Sequence, residues 1–259
     1  MNLLTQYKTK ILLCASLLLG LQACVTTTTS VFKKDDTAAA AYNVQLCIDY
    51  MRQNNLSEAK DKIDKALEQD PKSADAHFVA GILYDRINEN RKADEFYSKA
   101  ISIDSKNADY LNGYAAFLCR KGNRQRGEKM ALKAADDPLY KTPQDALLNA
   151  GNCALDDGRP LKAEEHFRRA LKFQPNFPPA LMQMSELEFR SKNYLPARAF
   201  LERYQQYAPA TAQSLWLGVR IERALGNMSA AEIYARRLKR DFATSDEAKA
   251  LLELENNKS

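Results

Sequence analysis

The feature that most restricts how this chain can fold is a period of 34 residues. The stretches AAAYNVQLCIDYMRQNNLSEAKDKIDKALEQDP (39–71) and ADAHFVAGILYDRINENRKADEFYSKAISIDS (74–105) each hold two apolar-periodic segments joined by a polar turn. Units counted from residues 40, 74, 108, 144, 178 and 212 align as six copies. Self-similarity at this length marks a stack of small units, none able to bury its apolar face alone. The small residues give the physical reason. Position 20 of each unit is Ala59, Ala93, Gly127, Ala163, Ala197 and Ala231, and position 8 includes Cys47, Gly81, Ala115, Gly151 and Ser185. Helices approach closely only where the side chains between them are small. Pro71, Pro175 and Pro209 close the second segments of their units, and Pro138 does so one position early in unit three, because proline cannot continue a helix.

Period, small positions and terminal prolines together resemble the tetratricopeptide repeat (TPR), over residues 40–243. The resemblance implies an all-α fold, a superhelix of six helix-turn-helix repeats whose concave wall is built from the first helices. Glu188 and Glu222 stand at position 11, where an apolar residue is usual, which leaves the register of units five and six open. Residues 244–259 read as a C-terminal cap helix and tail. Thr244 and Glu247 have the spacing of a capping box, and the helix would cover the exposed end of the stack.

Residues 1–23 have the layout of an export signal. Lys8 and Lys10 precede an apolar run from Ile11 to Ala23, shorter than the roughly 20 residues that cross a bilayer. The run Leu21-Gln22-Ala23-Cys24 resembles a bacterial lipobox, although Gln22 is bulkier and more polar than usual there. The resemblance implies cleavage before Cys24 and a covalent lipid on Cys24; neither a cofactor nor a metal is expected besides. The alternative is an uncleaved signal anchor, or an ordinary signal with an incidental cysteine. Val25 follows where an aspartate would mark inner-membrane retention, so the expected address is the outer membrane, lipid-anchored and facing the periplasm. Residues 24–39, with four consecutive threonines and little apolar content, read as the lipidated N-terminus and a flexible tether. Such a tether spans roughly 20 Å.

Removing Lys8 and Lys10 with the signal lowers the 38 basic residues to 36 against 33 acidic, a net charge of +3. That is too little to indicate nucleic acid, whose phosphates demand concentrated positive charge. No catalytic constellation is present in the sequence. Of the two histidines, His77 sits where the repeat packs an apolar side chain. His166 lies between Glu165 and Phe167, and adjacent residues do not share a helix face. No phosphate-cradling glycine loop or zinc-type cysteine spacing occurs. An enzyme is not expected, nor a small-molecule substrate.

Cys47 occupies a tight position and is expected to be a buried free thiol. Cys119 and Cys153 fall at positions 12 and 10 of neighbouring first helices, near the same height. An oxidising periplasm permits a disulfide between them; the alternative is two separate buried thiols.

Inward positions of the first helices supply a candidate partner-binding groove: Val44, Ile48 and Met51 in unit one, Phe78 and Ile82 in unit two. Contiguous exposed apolar surface marks binding, unless the tether or a neighbouring helix covers it. Later units place Asn112, Asn152, Phe189, Trp216 and Arg220 on the same wall.

A lipobox followed by six such units, the cysteine pair, and the segments AAAAYNVQLCIDYMRQNNLSEAKDKIDKALEQDP and ALMQMSELEFRSKNYLPARAFLERY are similar to the type IV pilus biogenesis/stability TPR lipoproteins, the PilF/PilW-type pilotins. The resemblance implies an outer-membrane scaffold whose partner is the type IV pilus secretin subunit. It would promote the secretin's outer-membrane localisation and multimerisation through protein contacts. A monomer is expected. The alternative is a periplasmic TPR adaptor for β-barrel assembly or for peptidoglycan enzymes.

Overall fold

The computed structural model describes residues 28–256, so Cys24 and the expected signal lie outside the described residues. Those residues form thirteen helices and no strand. They group into two compact units, one ending at Ile103 and the other starting at Asp104.

The first unit holds α1 (Thr28–Arg52), α2 (Leu56–Gln69), α3 (Ala74–Arg86) and α4 (Asn90–Ile103). They pair as hairpins, α1 with α2 and α3 with α4. Helix α1 corrects the expectation of a tether over 24–39, because its backbone is helical from Thr28. Packing starts where the first repeat was placed: Ala40 is buried, whereas Asp36, Thr37 and Ala38 are exposed. Once the packed turns are fixed, each further residue costs one backbone ordering step and gains one hydrogen bond. The run Ala38–Ala41 has the highest helix propensity available. Along α1, Ala40, Val44, Cys47 and Met51 form one buried stripe at the i, i+4, i+7, i+11 spacing.

The second unit holds α5 (Ala108–Arg120), α6 (Arg124–Ala135), α7 (Pro143–Asp156), α8 (Pro160–Phe173), α9 (Pro178–Arg190), α10 (Tyr194–Tyr207), α11 (Ala212–Ala224), α12 (Met228–Asp241) and α13 (Asp246–Asn256). Proline stands in the first turn of α7, α8 and α9, where its missing N–H and fixed φ cost nothing. Phe167 of α8 packs with Ala154, Met184 and Leu187. Leu201 of α10 packs with Leu181, Leu217 and Ile221. Helix α13 lays Ala248 and Leu251 on Leu215, Val219 and Leu238, covering the apolar flank of the last hairpin. Its cap differs from the expected Thr244–Glu247 box. Ser245 holds the position, its hydroxyl accepting the Ala248 N–H at 3.1 Å and its carbonyl accepting the Lys249 N–H. Among the described residues a reciprocal capping box stands at α11, between Thr211 and Ser214.

One turn joins the two helices of every hairpin. The residue at position 15 has positive φ in all six: Asn54, Asn88, Gly122, Gly158, Lys192 and Gly226, between 59° and 87°. The N–H of the next residue reaches the carbonyl five back, as in Asn123 to Leu118, Asn193 to Glu188 and Asn227 to Glu222. This is the Schellman closure, which satisfies orphan carbonyls at a helix end and requires a left-handed residue.

Candidate interaction faces

In the first unit the structure divides the five expected groove residues. Val44 and Met51 are 8% and 6% exposed and belong to the buried stripe of α1. They are core, not wall, because they share a helix face with Cys47. Burial pushes the Cys47 thiol up to about 11, so it stays protonated and unreactive, and it is unpaired. Ile48 is half-buried and Ile82 is 36% exposed. Phe78 is half-buried, with its ring edge-on to Tyr97 at 5.7 Å. The apolar wall of this unit is therefore Ile48, Phe78 and Ile82. Arg86 fastens its two first helices, donating to the Met51 carbonyl at 2.6 Å and to Asn54 Oδ1 at 3.1 Å.

In the second unit the first helices present a different chemistry. Asn149 Nδ2 donates to Asn112 Oδ1 at 2.8 Å, and Asn112 Nδ2 donates to the Tyr140 hydroxyl at 3.1 Å. Beside them a cleft is lined by Arg120, Asn149, Asn152, Leu155, Asp156 and Gln183. Cys119 and Cys153 are joined by a disulfide, their Cα atoms 5.3 Å apart, within the range a relaxed bridge needs. Further along, the Arg220 guanidinium lies 4.7 Å from the Phe189 ring and 5.8 Å from that of Trp216. Glu186 holds it at 2.7 Å. The wall here is polar and cation–aromatic, unlike the apolar wall of the first unit.

Three buried carboxylates lie between helices of the second unit, each held by an arginine. Glu128 accepts from Arg159 at 2.6 Å and lies 2.8 Å from His166 Nε2. Glu188 accepts from Arg168 at 3.2 Å and from Asn193 Nδ2 at 2.9 Å. Glu222 accepts two bonds from Arg198, one of them at 2.7 Å. Glu188 and Glu222 are the residues that left the register of units five and six open. Position 11 is buried in those units as it is at Tyr84, Leu118 and Ala154, and an arginine of the preceding second helix neutralises each carboxylate. Burial raises the Glu128 carboxyl, but the Arg159 and His166 hydrogen bonds outweigh this and leave it below its ordinary value. His166 is fully buried; its partner comes from a different hairpin and not from the flanking Glu165. Among the described residues no group of three or more His, Cys, Asp or Glu is placed to hold a metal. No described helix is long and apolar enough to cross a membrane.

Stacked helical hairpins with small crossing positions, a uniform turn and side-chain-lined first helices define a tetratricopeptide repeat scaffold. The family model of the tetratricopeptide repeat matches residues 45–108 and 118–178. Type IV pilus assembly protein PilF of Pseudomonas aeruginosa is 34% identical over 233 residues, spanning 88% of this chain and 92% of that protein. The solved structure of Pseudomonas aeruginosa PilF superposes with a TM-score of 0.76 at 32% identity, covering 85% of this chain and 99% of that one. The crystal structure of PilW, described as a widely conserved type IV pilus biogenesis factor, gives 0.77 at 33% identity over 82% and 98%. The chain belongs to the type IV pilus biogenesis family of tetratricopeptide proteins that includes PilF and PilW.

Proposed function

We propose that this chain is a pilotin: an outer-membrane lipoprotein, anchored by an acylated Cys24 and facing the periplasm. It binds the type IV pilus secretin subunit and promotes its localisation and multimerisation. The observation that carries this reading is the likeness to PilF, at 34% identity over 88% of the chain. Chemistry is consistent with it. The helix faces supply packing, ion pairs and side-chain-lined walls, which suit a binding role. An apolar wall at Ile48, Phe78 and Ile82 suits an apolar partner segment, because each Å² of apolar surface removed from water contributes about 25 cal/mol before ordering costs.

Two strains test the reading. Deleting the gene should leave secretin monomers in place of multimers and abolish surface pili; a deletion strain with normal secretin multimers rules the pilotin role out. Cys24→Ala should move the protein from the membrane fraction to the soluble periplasm. Retention in membranes after a high-salt wash rules out the lipid anchor without touching the secretin question.

A further inference from the structure

The first helices α7, α9 and α11 present one wall on which two chemistries lie side by side. One is amide. Asn149, Asn152 and Gln183 line a single cleft. Asn149 donates to Asn112, but among the described residues the half-buried side chains of Asn152 and Gln183 make no hydrogen bond. A side-chain amide carries a carbonyl acceptor and an N–H donor at one tip. That pair matches an extended peptide backbone, which offers both groups along its whole length and needs them paired when it leaves water.

The other chemistry is cationic. From Gln183 the same face of α9 runs on to Glu186 and Arg190, and on α11 Trp216, Arg220 and Arg223 share a face by the same helical spacing. Arg220 ties the two helices together. It donates to one oxygen of Glu186 at 2.7 Å while its guanidinium lies against the rings of Phe189 and Trp216. The other oxygen of Glu186 accepts from Arg190 at 3.0 Å. Arg220 Nε is buried with no partner. Glu188 and Glu222 are buried and matched by Arg168 and Arg198. The remaining charges of α9 and α11 are Arg190, Arg220 and Arg223 against Glu186, three against one. Two of these arginines share a single carboxylate, and Arg223 makes no ion pair among the described residues.

We infer that this wall binds an extended acidic segment of a partner protein. Its main chain pairs with the amides of Asn152 and Gln183, a carboxylate settles among Arg190, Arg220 and Arg223, and an adjacent aromatic or apolar side chain lies on Trp216. The arginine surplus fixes the sign of the occupant, since charge-assisted guanidinium–carboxylate bonds are the strong ones and a basic segment would be repelled. The amides select a peptide over a free anion, which would use the arginines and leave the amides idle. From α7 to α11 is two helix spacings, about 20 Å, a distance that about six extended residues cover. Any partner with such a segment qualifies, so this surface stands apart from the apolar wall of the first unit and from the pilotin reading.

Trp216 is the single tryptophan of the chain, so its emission in the full protein reports the site. The probe is the capped peptide Glu-Phe-Thr-Ser-Thr-Phe-Glu, which brings a carboxylate to the arginines in either chain direction. A saturable change in emission is expected. The same peptide with Gln for both Glu should bind about tenfold more weakly. So should the acidic peptide N-methylated at its three central residues, about tenfold. Arg190→Gln with Arg223→Gln should remove the preference for the acidic peptide; neither side chain is buried, and unchanged melting verifies the fold. Asn152→Ala with Gln183→Ala should remove the penalty of N-methylation and keep the preference for acid. Equal binding of the Glu and Gln peptides overturns the inference, as does N-methylation without effect, or no saturable change up to about 1 mM peptide. An equal response to acetate overturns it too, because the site would then take any anion.

Discussion

The sulfur of Cys119 occupies the space that a Cβ on Gly127 would need, and the Ala115 carbonyl oxygen would lie 2.9 Å from that Cβ. Position 20 is alanine in five units and glycine only in unit three, where the Cys119 sulfur points at it; unit four, which carries Cys153, keeps Ala163. Gly127→Ala is therefore expected to destabilise the protein by about 1–3 kcal/mol through overpacking. In a Cys119→Ala background the same change should cost less, because the sulfur is gone and only the Ala115 carbonyl still crowds the site. A double-mutant cycle measured by urea unfolding gives the coupling directly. Additive effects would mean that the sulfur does not set the residue at 127.

Removing the bridge itself reads out on the unfolded chain. The cysteines are 34 residues apart in sequence, and closing a loop of that size restricts the unfolded ensemble by about 4 kcal/mol in the chain-entropy description. Cys119→Ala with Cys153→Ala should lower the unfolding free energy by about 3–4 kcal/mol. Alkylation of the oxidised protein after unfolding should modify Cys47 and leave these two protected. Modification of all three would contradict the pairing.

Glu128 makes the fold sensitive to acid. Its carboxyl is depressed in the folded state, since the Arg159 and His166 hydrogen bonds outweigh the opposing effect of burial. A depressed carboxylate contributes stability above its unfolded pKa, and the contribution is lost as the pH falls through the folded value. Wild type should therefore lose more stability than Glu128→Gln when the pH is lowered from about 7 to about 3. Glu128→Ala should cost about 3 kcal/mol or more at neutral pH, because Arg159 and His166 lose their shared partner. Identical acid losses in wild type and Glu128→Gln would remove Glu128 from the explanation.

Lys192 is the one left-handed turn residue in the six hairpins that is neither glycine nor asparagine, at φ 61°. A β-carbon in that conformation costs roughly 1–2 kcal/mol, less the extra backbone entropy of an unfolded glycine. Lys192→Gly should raise stability by about 0.5–1 kcal/mol, whereas Gly158→Lys should lower it. Thermal unfolding of the two variants checks both signs; a loss for Lys192→Gly would show that its side chain contributes more than its backbone strain costs.

The repeat was legible because period, small residues and prolines are local signals, and the height of Cys119 and Cys153 followed from them. What stayed hidden depends on geometry or on distant partners. The arginines and the histidine that hold Glu128, Glu188 and Glu222 lie 20 to 38 positions away in sequence, and no spacing announces them. The misassignment of Val44 and Met51 was avoidable: with Ala40 and Cys47 they complete a helical stripe that the sequence already spells out. The left-handed turn was visible too, as Asn or Gly at position 15 in five of six units. The extension of α1 to Thr28 was not, because threonines and paired charges suggest a loop until a packed helix seeds them.

The apolar wall tests the pilotin claim most directly. Phe78 packs on Tyr97, so Ile48 and Ile82 are the residues to change, and Ile48→Ser with Ile82→Ser should leave helix content and melting close to wild type. At equal steady-state levels of the variant protein, secretin multimers should fall severalfold and unassembled monomers accumulate in their place. Normal secretin multimers in that strain would contradict the assignment of this wall as the surface that receives the secretin.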